Sequence, residues 1–282
     1  QAETYNSNYI PNYAHNNYWG TENKTLINKM IVDADDYAGQ TKTDWKYEGT
    51  QYWINGANYN FNAVAPLTDG GWTKTAANPT STTLSFTNNG TTDLLYAYAS
   101  AVGASSSNSP ISFTFRHTLS KVKFSFTNGF ASPNYTISVK NIKMIVPAKA
   151  KIALVGDWWS TNKWENYAGT TTLEFGDMES EKIQVTKGAE SKNERLTIPA
   201  GAAQEYTVTF DVELWMGEVL ATTSSKTIKI SGVELLPGRA YNFKAEINHQ
   251  NVDENPLFEI EFEVEVNEWE NAGGVALEGA NV

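Results

Sequence analysis

Strict alternation near the C-terminus constrains the fold of this chain more than any other feature. From Phe258 to Val266 every second residue is apolar, and the four residues between them are all glutamates. Successive side chains of a strand point to opposite faces, so this segment is predicted to be a strand with one face in a core and four like charges in water. A helix would scatter the glutamates around its axis and leave no continuous apolar stripe.

Shorter segments with the same alternation recur along the chain and are separated by glycine- and asparagine-rich turns. Apolar residues alternate through 111–115 and again, in the opposite phase, through 122–126. A bulge or a bend between two sheets near 117–121 would produce this change of phase. No amphipathic helix of three turns is visible, so we predict an all-β protein built from β-sandwiches with Greek-key connections.

The clearest break in composition is the segment from Gly103 to Pro110, which is small, polar and ends in proline. It is either a linker between domains or a long loop within one. We place a domain boundary here. The prediction is an N-terminal β-sandwich domain over 1–109, which begins with an irregular extension, and a C-terminal β-sandwich domain over 110–282.

The composition excludes several classes of function. The 282 residues carry a net charge of −11, which opposes binding to nucleic acid or to an anionic membrane surface. The chain contains no cysteine, so disulfides, thiolate catalysis and cysteine-based metal sites are excluded. No run of about 20 apolar residues occurs, so no segment of this sequence is expected to span a bilayer.

Candidate catalytic residues are few. The histidines His15, His117 and His249 are far apart, and none has the spacing of a two-histidine metal site. His117 is predicted to be a structural residue bonded to backbone. No phosphate-binding loop, nucleophile elbow or zinc-binding helix motif is present. A hydrolase with paired carboxylates is the least favoured hypothesis. We predict that the chain is not an enzyme and has no cofactor.

One aromatic segment, 157–167, has two interpretations. Trp158, Trp159, Trp164 and Tyr167 lie there among polar residues. Such rings can form a platform for sugars or for a partner protein. Alternatively they pack over the edge of the sandwich, because indole rings are costly to leave in water; the second interpretation is favoured.

Four passages, taken in order, resemble a known family. They are Tyr52 to Pro66, Phe113 to Phe124, Leu235 to Ile247, and Ile260 to Trp269. Over about residues 25–270 the chain resembles the fimbrillin family, the Mfa-like subunits of type V pili in Gram-negative gut and oral anaerobes.

The resemblance implies two transthyretin-like Greek-key β-sandwich domains and a structural or adhesive role. It implies export as a lipoprotein, with the lipidated residue outside this chain, and a location at the outer membrane or in an extracellular pilus. It also implies that the partners are other pilus subunits, joined by donor-strand exchange after a protease removes an N-terminal strand. The physical basis would be β-augmentation, in which an open sheet edge accepts a foreign strand.

Particular residues follow from this resemblance. No arginine precedes Arg116, so Lys24 and Lys29 are the early basic candidates for processing. Val275 and Leu277 alternate in the C-terminal tail and form a candidate donor segment, although glycines weaken its strand pattern. A stalk subunit needs such a donor, whereas a tip or accessory subunit does not. The alternative function is a surface lipoprotein that binds a host or bacterial glycan or protein through the aromatic segment.

Overall fold

The computed structural model describes residues 13–14, 32–34, 45–47, 58–65, 72–78, 81–102, 111–154, 156, 163–252, 260–269 and 274–277. Within these ranges the chain is almost entirely β, which confirms the predicted fold class. The elements are β1 (Tyr13–Ala14), β2 (Val32–Ala34), β3 (Trp45–Tyr47), β4 (Asn58–Ala65), β5 (Trp72–Asn78), β6 (Ser81–Thr87), β7 (Leu95–Val102), β8 (Ile111–Thr114), β9 (Arg116–His117), β10 (Ser120–Asn128), β11 (Tyr135–Leu154), β12 (Trp164–Gly176), β13 (Gly188–Glu190), β14 (Arg195–Thr197), β15 (Tyr206–Met216), β16 (Val219–Ile230), β17 (Arg239–Ile247), α1 (His249–Val252), β18 (Glu263–Glu268) and β19 (Gly274–Leu277).

Three larger sheets carry most of these strands. A six-stranded sheet has the order β16-β15-β11-β6-β5, with β12 also paired to β11. A five-stranded sheet has the order β13-β10-β17-β18, with β14 also paired to β10, and a four-stranded sheet has the order β1-β4-β7-β9. The pairs β8–β19 and β2–β3 form two small sheets. Among the described strand pairs only β10 and β17 run parallel.

A first hydrophobic core fills the space between the six-stranded and five-stranded sheets, so this part of the chain is a β-sandwich. Phe124, Phe126 and Phe243 come from one sheet and Phe210 from the other. The ring centroid of Phe262 lies 5.7–6.4 Å from each of these four rings. Close aromatic packing of this kind is the largest source of burial in a core of this size.

A second hydrophobic core joins segments that are distant in the sequence. Leu84 and Tyr96 lie in it with Leu119, Ile152 and Ile198, and all five are at most 1% exposed. The long strand β11 contributes to both cores. Its residues from Ile137 to Val146 lie in the first core, and those from Ala150 to Leu154 lie in the second. The predicted division into domains 1–109 and 110–282 stays a prediction.

The alternating segment near the C-terminus is predicted to be a strand over 258–266. The structure places β18 at Glu263–Glu268, with 260–262 before it, and Phe258 and Glu259 lie outside the described residues. Ile260 is 2% exposed, and Phe262 and Val264 pack against the first core. Val266, in contrast, is 50% exposed. Val266 belongs to β18, the edge strand of its sheet, and pairs with Tyr241 of β17. Only this one neighbouring strand can shield it.

The change of phase near 117–121 is a bend between two sheets. β9 pairs with β7 in the four-stranded sheet, whereas β10 belongs to the five-stranded sheet. Thr118 and Leu119 connect them, and both are fully buried. The chain therefore passes from one sheet to the next within two residues, which reverses the parity of its inward-facing side chains.

Candidate functional site

The C-terminal tail pairs with β8 of its own chain. The antiparallel register places Val275 opposite Phe113 and Leu277 opposite Ile111. Both predicted donor residues therefore lie in a strand, β19, despite the glycines around it. The strand has four residues and a single partner. The ladder is short, so few backbone hydrogen bonds hold β19 to β8; β19 also lies beside β3, and β8 lies beside β7.

β8 carries a buried aromatic residue of its own. Phe113 is 6% exposed, and its ring centroid lies 6.4 Å from that of Phe115. β8 is followed directly by β9, which joins the four-stranded sheet through Leu95 and Tyr96. The strand that pairs with the tail is thus connected to a buried part of the molecule.

Trp269 lies where the sandwich ends and the tail begins. Its backbone N–H donates a hydrogen bond of 3.0 Å to the carbonyl oxygen of Gly238. Gly238 has a φ of +66°, which favours glycine, and its own N–H donates to the carbonyl oxygen of Leu119 at 2.9 Å. One turn therefore ties the end of β18 to the connection between β9 and β10.

The indole ring of Trp269 stacks on the imidazole of His117. The ring centroids are 3.6 Å apart and the planes differ by 8°. His117 is 7% exposed, and its Nδ1 lies 2.5 Å from Oδ2 of Asp93. The Nζ of Lys121 lies 5.4 Å from the centroid of the Trp269 ring, within the range of a cation–π interaction.

This cluster was not predicted as a site from the sequence. His117 is structural as predicted, but the partner of its Nδ1 is a carboxylate. Asp93 and His117 are 24 residues apart, and nothing in the spacing of the chain indicates their contact. The available signal is that Trp269 closes the last family-like passage and immediately precedes the tail.

The aromatic residues of the segment 157–167 differ in their exposure. Trp164 is 5% exposed, packs edge-on against Phe86 at 5.8 Å, and donates from Nε1 to the carbonyl oxygen of Thr118 at 2.8 Å. The Trp164 ring could reach a ligand only by leaving the second core. Tyr167 is 41% exposed, with its hydroxyl 2.9 Å from the carbonyl oxygen of Pro199. Trp158 and Trp159 lie outside the described residues, and a glycan platform formed by them stays a prediction.

Processing sites, metal sites and membrane spans remain to be considered. Lys24 and Lys29 lie outside the described residues. Among the residues that the structure describes, no group of three His, Cys, Asp or Glu side chains could hold a metal ion. In the same ranges no helix is long and apolar enough to cross a bilayer.

A shallow groove on the outer face of the five-stranded sheet is lined by charged residues that pair with each other. The Nζ of Lys123 lies 2.6 Å from Oε1 of Glu190, and Lys244 pairs with Glu265. The hydrogen bond between Lys244 and Glu265 raises the pKa of the lysine and lowers the pKa of the carboxyl group. Both shifts favour the charged forms, so Lys244 and Glu265 act as an ion pair on the surface of the sheet.

Comparison with known proteins identifies the family. A model described as fimbrillin-like matches residues 16–269. A fimbrial protein from Bacteroides vulgatus is 15% identical, with a TM-score of 0.48 over 80% of this chain and 82% of that one. A putative cell adhesion protein from Bacteroides ovatus is 16% identical, with a TM-score of 0.43 over 80% of this chain and 75% of that one. No curated protein matches the sequence significantly.

The family match spans nearly the whole of the described fold, from β2 to the Trp269 cluster. It confirms the resemblance drawn from the four sequence passages, and it confirms that the role is not enzymatic. This chain belongs to the fimbrillin-like family and is a structural subunit of the pilus and adhesion type.

Proposed function

We propose that the chain is a subunit of a surface pilus assembled by donor-strand exchange, with residues 270–282 as the donated segment. The observation that carries this proposal is the β8–β19 ladder. A strand of four residues with one partner is held by backbone hydrogen bonds that water can replace. The same β8 edge can pair with an equivalent strand from another subunit, because main-chain pairing makes few demands on sequence.

In this proposal the pairing within one chain is the resting state of a free subunit. The tail covers β8 until a neighbouring subunit offers its own strand at high local concentration. Exchange then replaces one ladder by an equivalent one, so the free-energy change of pairing is small and assembly is driven by the other contacts between subunits. A tip or accessory subunit would have no use for a tail that can leave.

The experiment removes the tail and supplies it as a peptide. A chain ending at Trp269 should bind a fluorescent peptide of residues 270–282 at least about tenfold more tightly than the full chain does, because the full chain's own tail competes. A peptide with Val275→Pro and Ala276→Pro is the matched control: the N–H groups of adjacent residues in a strand point to opposite sides, so one of the two prolines must remove a donor to the ladder. Fluorescence anisotropy measures both.

Two outcomes would contradict the proposal. One is a truncated chain that stays folded by circular dichroism yet binds neither peptide. The other is equal binding of the two peptides, which would show that pairing with β8 is not the basis of recognition. Either result would favour a tip or accessory role in which the tail is a fixed part of the subunit.

Processing and anchoring belong to the same proposal. Cleavage after Lys24 or Lys29 would leave a chain that starts at Thr25 or Met30. A lipid attached to a longer precursor would hold the unprocessed form at the outer membrane. Mass spectrometry of the chain recovered from cell-surface fractions tests the first statement, and labelling with a radioactive fatty acid tests the second. Intact N-termini in assembled fibres would overturn the processing step.

A further inference from the structure

Trp269, the residue that precedes the tail, is held by a different kind of contact from the tail itself. β19 is held by a backbone ladder, whereas Trp269 is held by ring stacking and by a hydrogen bond from its N–H to Gly238. The indole lies on an imidazole that a carboxylate fixes, and Lys121 lies near the same ring. These contacts of Trp269 are made to His117, Lys121 and Gly238, none of which belongs to β8 or β19.

The two attachment points lie on one continuous segment. His117, which stacks on Trp269, follows β8 by three residues, and β19 pairs antiparallel with β8 itself. The stack and the ladder thus contact neighbouring positions of one continuous segment, the stack at β9 and the ladder at β8. Four residues, 270–273, connect the two points.

We propose that Trp269 is the positioning residue of strand exchange, because it fixes where the exchanging segment begins. With Trp269 held in place, only residues from 270 onward leave β8, and β18 stays in the sandwich. The inference rests on the donor-strand role proposed above, and it adds the position at which the exchanging segment begins.

Holding Trp269 in place also limits how far β19 can extend from the subunit. The five Cα–Cα steps from Trp269 to Gly274 span at most about 17 Å when extended. A neighbouring subunit must bring its acceptor edge within that distance of the Trp269 ring. If the contacts of Trp269 were lost and the chain detached as far as Ile260, the extended span from Ile260 to Gly274 would be about 48 Å. The spacing between neighbouring subunits would then no longer be fixed.

Hydrogen exchange of the full chain, followed by mass spectrometry, tests the boundary. In the wild type the amides of 274–277 should exchange at least about tenfold faster than those of β18. In Trp269→Ala the amides of β18 should speed up about tenfold, while those of β17 keep their rates. Trp269→Phe, which retains a ring for stacking on His117, should restore the rates of β18 to within about threefold.

Trp215→Ala is the matched control. Trp215 is also packed under a lysine, with the Nζ of Lys182 4.4 Å from its ring centroid, but it lies at the end of β15, away from the tail. This variant should leave the exchange of β18 unchanged. A general loss of stability would instead raise exchange in β17 and β18 together, and this pattern in Trp269→Ala would overturn the inference.

Peptide binding by the chain that ends at Trp269 separates the two proposals. If that chain binds the 270–282 peptide but Trp269→Ala leaves the exchange of β18 unchanged, the boundary is wrong and strand exchange stands. If the peptide does not bind, Trp269 has no exchange reaction to position and the inference fails with the proposed function.

Discussion

β18 and β19 follow each other in the chain, but the molecule supports them very differently. β18 has six residues and is preceded by Ile260 and Phe262, which lie in or against the aromatic core. Its partner β17 is an interior strand of a five-stranded sheet. β19 has four residues, and its one partner, β8, is equally short. Both strands are held by antiparallel ladders, but β18 belongs to a five-stranded sheet and β19 to a two-stranded one.

This difference shows which interactions make a strand permanent. A backbone hydrogen bond contributes only about 0.5–1.5 kcal/mol net, because an unpaired strand bonds to water instead. Burying a phenylalanine side chain contributes about 1.5–3 kcal/mol, and water offers no substitute for that. A strand whose residues also bury rings in a core is therefore harder to displace than a strand in a short two-stranded ladder. The predictions below test this contrast, the largest effect first.

Removing a ring from the aromatic core should have the largest effect. Phe124 is fully buried, and its ring centroid lies 4.8 Å from that of Phe175 and 5.5 Å from that of Phe243. We expect Phe124→Ala to lower the free energy of unfolding by about 3–5 kcal/mol, measured by urea titration. Lys123→Ala, the next residue on the outer face, should cost less than about 1 kcal/mol. Equal effects of the two changes would contradict the role assigned to the core.

A smaller effect is expected in the second core. Trp164→Phe keeps an aromatic ring beside Phe86 but removes the Nε1–H that donates to the carbonyl oxygen of Thr118. Leaving that buried acceptor unpaired should cost about 1–3 kcal/mol in thermal or urea unfolding. If the variant is as stable as the wild type and loses binding to a glycan instead, Trp164 would belong to a ligand site after all.

The smallest effect should depend on pH. Hydrogen bonds from Ser225 at 2.6 Å and from Asn141 at 2.7 Å lower the pKa of the Asp211 carboxyl group. A lowered carboxyl pKa gives stability that is present above the pKa of the unfolded chain, about 3.9, and is lost as the pH falls through the folded value. Asp211→Asn should therefore be less stable than the wild type at pH 7, and the gap should narrow in urea titrations at pH 3. A gap that is independent of pH would contradict this assignment.

The sequence predicts the strands better than it predicts their partners. Alternation is a local signal, so the inward face of Ile260 and Phe262 follows directly from the chain. The parallel pairing of β10 with β17 does not, because it joins segments more than a hundred residues apart whose patterns fit several neighbours equally well. The bend near 117–121 was visible as a change of phase, because a switch of sheet reverses side-chain parity within two residues.

The candidate site was predicted only in part. Val275 and Leu277 could be named because they alternate, but their pairing with β8 depends on a strand far away in the sequence. The Trp269–His117 stack joins residues about 150 positions apart, and neither residue has a local pattern that indicates the other. The burial of Trp164 is likewise decided by Phe86 and Thr118, which lie far from it in the sequence.

A disulfide lock tests most directly whether the tail must leave β8 for subunits to assemble. Ser112 and Ala276 lie opposite each other in the ladder, and the chain has no cysteine of its own. The account predicts that Ser112→Cys/Ala276→Cys, oxidised as a monomer, neither exchanges its tail nor forms multimers, and that reduction restores both. Ser112→Cys alone should assemble normally. Multimers that form equally well from the oxidised and the reduced double variant would contradict the account.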